Sequence, residues 1–162
     1  MDEKKLVQEL LIRQYELIKS SRAALLNYCN QLTEEDFLTS NSSFGRGSIR
    51  NLLVHNANVY EFWLLRNILK INVDVRDFDS VRNVAECITY FQSVDQTVLN
   101  FIRHFDGMYE KKMDVTLGNR FLTLTPLQVF THVVTHEFHH KGQILSLSRH
   151  LGYTPIDTDV IR

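Results

Sequence analysis

Glycine and proline are scarce in this sequence, which contains six glycines and two prolines. Because these residues mark turns and interrupt regular structure, their scarcity favours long helices over a loop-rich β fold. Long apolar runs are also missing, and no stretch approaches the roughly 18 apolar residues of a membrane span. We therefore expect a helical protein that does not cross a membrane.

The chain has no surplus of basic residues either. Eighteen lysines and arginines stand against 19 acidic residues, so the formal net charge is −1 and nucleic-acid binding is not expected. The start, MDEKKLVQELL, is acidic where a signal peptide is basic, and we expect a cytoplasmic protein. Cys29 and Cys87 stand far apart in apolar contexts, which favours buried thiols over a disulfide or a metal-binding pair.

Four segments carry apolar residues at helical spacing. They predict helices from about Lys4 to Asn30, Ser48 to Lys70, Val81 to Phe105 and Pro126 to His150. Ser48 and Thr125 are suitable N-caps, Pro126 suits a first helical position and Gly152 suits a helix end. Thr33 is predicted to cap a short turn. On the first helix the predicted core stripe comprises Leu6, Leu10, Ile12, Leu17, Leu25 and Tyr28.

These helices predict an all-α fold, an antiparallel four-helix bundle that forms a single domain over residues 1–162. Between the third and fourth long helices, Met113, Val115 and Leu117 alternate with polar residues and are followed by Phe121 and Leu122. This pattern adds a small hairpin before the last helix.

Four of the seven histidines lie in THVVTHEFHHKGQIL, Thr131 to Leu145. In steps of three and four, His136 and His140 fall within an otherwise apolar stripe formed by Val129, Val133, Ile144, Leu147 and Leu151. On the second helix, His55 falls in a similar stripe with Leu52, Val59, Phe62 or Trp63, and Arg66. An imidazole that faces a core needs a partner, and three of them can share one divalent cation. We therefore predict a metal site formed by His55, His136 and His140.

The other polar residues near these stripes point elsewhere. His132 and His139 lie about 100° off the stripe, beside Gln143. Glu137 is predicted to be a flank residue, with a role in orienting a ligand as the alternative. The same two interpretations apply to Asn51, Asn58 and Glu61, for which a solvated helix face is favoured. His104 and His150 lie near helix C-termini, where the helix dipole favours a histidine.

His136-Glu137-Phe138-His139-His140 also matches the His-Glu-x-x-His string of zinc proteases. A protease needs a third ligand downstream, but Gln143 and Ser146 occupy the positions of glycine and histidine in one large class. Only Asp157 and Asp159 follow the helix as acidic candidates for the other class. With almost no strand to hold a peptide substrate, the protease interpretation fails.

LLVHNANVYEFWL on the second helix, followed by HVVTHEFHHKGQIL on the fourth, resembles the DinB-like (DinB/YfiT) superfamily of four-helix-bundle metalloenzymes. The similarity extends over nearly the whole chain, with Lys141 where arginine is usual before glycine and glutamine. It implies that His55, His136 and His140 are the three metal ligands. It further implies zinc or nickel as the metal.

The resemblance also implies an activity, that of a metal-dependent transferase. Its small-molecule substrate would be a low-molecular-weight thiol such as bacillithiol or mycothiol. A metal-dependent hydrolase and a non-catalytic metal-stabilised binding or stress-response module stay open as alternatives. The family also suggests a homodimer. The segment YEFWLL, which covers more than one helix face with apolar groups, favours the same state.

Overall fold

The computed structural model describes residues 3–162, so Met1 and Asp2 of the acidic start lie outside this range. Four long helices form the predicted all-α bundle, and a two-stranded hairpin precedes the last one. α3 packs against α4 and α5, and α1 packs against α4. The elements in chain order are α1 (Glu3–Cys29), α2 (Glu34–Leu38), α3 (Ile49–Tyr60), a π-helix (Glu61–Leu69), a 3-10 turn (Phe78–Ser80), α4 (Val84–His104), β1 (Met113–Leu117), β2 (Arg120–Leu124) and α5 (Pro126–His150).

The predicted capping residues define the helix starts. The Ser48 side chain accepts a hydrogen bond from the Asn51 amide, and Thr125 forms a capping box with Gln128 immediately before Pro126. Such caps satisfy backbone amides that have no partner within the helix. α4 begins at Val84, three residues later than predicted, because Asn83 caps it by accepting from the Glu86 amide.

The predicted second helix changes its character halfway along its length. Residues Glu61–Leu69 form a π-helix that ends at Lys70, whose φ of 56° lies in the left-handed region. Because an i→i+5 helix advances less than 100° per residue, side chains after Tyr60 fall behind the predicted phase. As a result Leu64 and Ile68 are buried, whereas Arg66, predicted on the inward stripe, is exposed.

The predicted core stripe of α1 is partly wrong. Leu6, Leu10 and Leu17 are 50%, 63% and 52% exposed, whereas Leu11 and Ile18, one residue further along, are buried. Two apolar stripes offset by one residue compete on this helix. The buried stripe is the one that also carries Tyr15 and Arg22, and these polar side chains have partners inside the bundle.

A buried ion-pair network holds the four long helices together. Arg22 of α1 donates to both carboxylate oxygens of Glu137 on α5, at 2.7 and 2.8 Å, and to Asp95 of α4 at 2.6 Å. Tyr60 at the end of α3 donates to Glu137 at 2.5 Å, and Tyr15 donates to Asp95 at 2.8 Å. Glu137 is therefore not the flank residue that was predicted, since it is 4% exposed and fully partnered.

The hairpin pairs Met113 with Leu124 and Leu117 with Arg120, and a two-residue turn at Gly118 and Asn119 joins its strands. Gly118 has a φ of 59°, a conformation that favours glycine in such turns. Both cysteines are free and buried, as predicted. In the part of the chain that the structure describes, no helix combines the length and apolar character needed to cross a membrane.

Candidate metal centre

His55 of α3 and His136 and His140 of α5 meet between the two helices. One ligand nitrogen from each lies within 4.8 Å of the others, and Nε2 of His55 is 3.0 Å from Nε2 of His136. The ring centroids are 4.5 Å apart for His136 and His140, and 4.7 Å apart for His55 and His140. The structure thus brings together the three residues that the sequence singled out.

This donor set fits a divalent metal ion. Two imidazole nitrogens bound to one tetrahedral zinc are roughly 3.3 Å apart, close to the His55–His136 separation. Neutral imidazole is a common ligand for zinc and nickel. The described cluster supplies three protein ligands, as catalytic zinc sites often do, and such sites keep a further position for water or substrate.

All three imidazoles favour the neutral form that a metal ligand needs. Burial, followed by the charges of Arg46, His140 and His136, lowers the pKa of His55 to about 3. Burial and the neighbouring histidines lower the pKa of His136 to about 4. The pKa of His140 is also lowered, mainly by burial, against the opposing effect of its hydrogen bond to Gln143. At neutral pH these nitrogens therefore present lone pairs.

Gln143 fixes the orientation of His140. Nδ1 of His140 donates to the Gln143 side-chain oxygen at 2.7 Å, which leaves Nε2 free to face the cluster. The amide nitrogen of Gln143 in turn donates to Nε2 of the exposed His139 at 3.3 Å. Hydrogen bonds of this kind set the tautomer and ring orientation of metal-binding histidines. Sequence analysis had placed Gln143 off the inward stripe, but its long side chain reaches back three residues.

A recess of about 350 Å³ opens beside the cluster, and an adjoining recess of about 250 Å³, called the outer recess below, shares part of its lining, including Arg46 and His55. The first, called the inner recess, is walled mainly by apolar and aromatic side chains, together with one arginine and one asparagine. Its lining comprises Arg46, His55, Asn58, Val59, Phe62, Trp63, Val75, His132 and His136. A small molecule that enters this recess would reach the histidines.

The sequence model of the DinB family matches residues 1–162. The chain belongs to the DinB family. A comparison with curated proteins gave no match.

In this DinB-family chain, the other described histidines lie outside the cluster. His132 is exposed and packs edge-on against Trp63, with ring centroids 5.0 Å apart. His150 donates to the Ser146 carbonyl at 2.8 Å in the last turn of α5. His104 is the last residue of α4.

Asn51 and Asn58 of α3, and Glu61 just after it, form hydrogen bonds to neighbouring loops and to Tyr90, and none of these bonds is to an imidazole of the cluster. The Asn58 side chain donates to the Arg76 carbonyl at 2.9 Å and accepts from the Arg76 amide at 3.1 Å. It is buried, so the solvated helix face that was favoured for Asn58 is wrong. Tyr90 lies within hydrogen-bond distance of both Asn58 and Glu61. Asn51 donates to the Arg46 carbonyl at 2.8 Å. These contacts secure the two loops that border the recess.

The positions of two basic side chains near α5, those of Lys141 and Arg46, were not predicted. Lys141, which follows His140, is buried on the side of α5 that faces α1, where it donates to Ser21 and to the Thr158 carbonyl. It anchors the C-terminal segment and does not line the recess. Arg46 does line it. Its position in the loop GRG gave no periodic signal that could have located it.

Proposed function

We propose that His55, His136 and His140 hold one zinc or nickel ion and that the protein is a metal-dependent transferase of low-molecular-weight thiols. The observation that carries this proposal is the convergence of three neutral imidazoles beside an open recess. A non-catalytic module would be better served by a closed site with a fourth protein ligand. A hydrolase that activates water in place of a thiol is the nearest alternative.

When bound, the ion would lower the pKa of a thiol towards neutrality and so increase the fraction present as thiolate. The chain's own residues would do the rest. Gln143 holds the His140 ring in place, and Val59, Phe62 and Val75 give the recess apolar walls against which an acceptor can pack. The thiolate sulfur, whose proton has passed to solvent, would then attack an electrophilic carbon of an acceptor held in the recess. A carbon–sulfur bond forms as the bond from that carbon to its leaving group breaks, and the leaving group departs with the electron pair.

The nucleophile would come from the co-substrate, not from the protein. Burial raises the pKa of the Cys29 thiol and that of the Cys87 thiol to about 12, so neither is ionised at neutral pH. Both are also buried, with 1% of each residue exposed. Replacing either cysteine with alanine should therefore leave the transfer rate unchanged.

Elemental analysis of the untagged protein tests the metal site. We expect one divalent ion per chain in the wild type and loss of most of it in His55→Ala, His136→Ala and His140→Ala. His132→Ala and His139→Ala are the matched controls, because both histidines are exposed and lie outside the cluster. A full complement of metal in His136→Ala, or an empty site in His139→Ala, would show that other nitrogens bind the ion.

The activity is tested by offering bacillithiol, mycothiol, glutathione and coenzyme A with standard electrophiles. We expect metal-dependent conjugation with one of these thiols and its loss in His55→Ala. If the loaded protein reacts no faster than the metal-free protein with every thiol, the transferase proposal fails.

We also propose a cytoplasmic homodimer. A thiol pool of this kind is a feature of a reducing compartment, which suits two free cysteines. YEFWLL contributes no strongly exposed large apolar side chain to the described surface, whereas α1 exposes Leu6, Val7, Leu10 and Leu17. If copies of the chain pair, this face of α1 is the better candidate for the contact.

A further inference from the structure

Arg46 is held on a loop whose backbone is fixed on both sides. The Gly47 carbonyl accepts from the Asn41 amide at 2.6 Å, and the Gly47 amide donates to the Phe44 carbonyl at 2.8 Å. Asn51 of α3 caps the Arg46 carbonyl at 2.8 Å. Gly47 has a φ of 85°, which favours glycine and sharpens the turn. The loop therefore fixes the backbone of Arg46, and its exposed side chain lines the recess that contains His55 and His136.

The charge of Arg46 is not matched by a protein partner. Among the described residues, the side chain of Arg46 forms no ion pair and no hydrogen bond, although five ion pairs occur elsewhere. Arg76, on the outer recess, instead lies over the Tyr90 ring, with Cζ 4.0 Å from the ring centroid. Asp77 lines the outer recess, which Arg46 and His55 also line, but it forms no ion pair with Arg46. Among the described residues that line the inner recess, Arg46 is the one whose side chain is charged at neutral pH.

We propose that Arg46 binds the carboxylate of a small substrate whose other end reaches the metal ion held by the three histidines. This inference rests on the proposed metal centre and adds the substrate class to it. A single guanidinium, with its planar fork of donors, matches one carboxylate, whereas a phosphate dianion usually meets several donors. The apolar walls between Arg46 and the cluster suit a short aliphatic or aromatic body. Arg46 is thus a specificity-determining residue.

Cobalt-loaded protein allows the inference to be tested by binding alone, since thiolate coordination to cobalt produces a charge-transfer absorption band. The probes are 3-mercaptopropionate and its neutral isostere, 3-mercaptopropionamide, titrated into wild type, Arg46→Gln and Arg66→Gln. Arg66 is an exposed arginine outside the recess lining and serves as the matched control. The measured quantity is the ratio of the two dissociation constants in each protein.

We expect Arg46→Gln to reduce the preference for the acid over the amide by about tenfold, the lower end of the range for a hydrogen bond to a charged group. Affinity for the amide and the preference of Arg66→Gln should match the wild type. An unchanged ratio in Arg46→Gln, or equal weakening of both thiols, would overturn the role of Arg46 while leaving the metal centre intact. Absence of the absorption band with both thiols in wild type would refute thiol binding at the ion, and this inference with it, whereas elemental analysis decides whether the ion is bound.

Discussion

Replacement of Glu137 by glutamine should destabilise the bundle strongly without emptying the metal site. Glu137 and its partner Arg22 are 4% and 3% exposed, so little water is available to replace the lost charge. The glutamine side chain has the same shape and can still accept from Tyr60. It removes the negative charge that faces the Arg22 guanidinium and replaces one acceptor by an amide donor.

The size of the effect follows from what remains around Arg22. Breaking a buried ion pair by removing one partner costs about 3–5 kcal/mol, because the other charge stays buried. Asp95 still accepts from Arg22 at 2.6 Å, but its side chain is 22% exposed and compensates only in part. We therefore expect a loss of about 3 kcal/mol in the free energy of unfolding. For a chain of this size, that corresponds to a decrease of roughly 6–12 °C in Tm.

Unfolding by guanidinium chloride and by heat, followed by circular dichroism, measures this loss of stability. The informative companion is a combined variant that removes the whole network: Arg22→Met, Glu137→Leu, Asp95→Asn and Tyr60→Phe, since Asp95 and Tyr60 would otherwise lose their partners. It should be more stable than Glu137→Gln, because replacing a complete buried ionic group is often neutral or stabilising. A loss below about 1 kcal/mol in Glu137→Gln would show that the pair is solvated and would refute the reasoning. So would a combined variant less stable than the single one.

Four further outcomes are expected. Chelation of the metal should leave the helical circular-dichroism signal intact and lower Tm only modestly; outright unfolding would contradict a preformed core. Gln143→Ala should weaken metal binding about 10- to 100-fold in a competition titration, while Gln128→Ala should not. The metal-free protein should lose stability as the pH falls from 6.5 to 4, because His55 and His136 take up protons in the unfolded chain but not in the folded one, where their pKa values are about 3 and 4. Denaturant unfolding at a series of pH values measures this loss, which should be smaller in His55→Ala. Sedimentation should reveal a dimer at micromolar concentration, and a single 19.0 kDa species would reject it.

The parts of the fold that could be predicted depend on local sequence signals. Ser48, Thr125 and Pro126 mark helix starts because their effect is confined to one turn of backbone. The histidine trio could also be found, since one helix period relates His136 to His140 and an apolar stripe surrounds each member. Gly152, with a φ of 92°, similarly follows the end of α5.

The parts that could not be predicted depend on contacts between distant segments. Arg22 and Glu137 are 115 positions apart, and neither has a local feature that distinguishes it from a solvated charge. Which of the two apolar stripes of α1 is buried depends on the Arg22–Glu137 pair, because Arg22 lies on the same stripe as Leu11 and Ile18. The sequence of α1 alone does not show this, and the prediction placed Leu6, Leu10 and Leu17 in the core. The π-helix changed the phase after Tyr60, and a periodicity of 3.6 residues does not anticipate such a change.

α5 serves two purposes with adjacent residues. His136 points towards His55 of α3, and Glu137, about 100° further round the helix, points towards Arg22 of α1. Tyr60 of α3 also donates to Glu137, so a hydrogen bond that needs no metal joins the two helices that carry the histidines. The spacing between α3 and α5 is therefore set by the protein, so the proposed ion would not need to draw the helices together. Three imidazoles arranged in this way would be in place before the ion binds and would leave it a coordination position for a substrate.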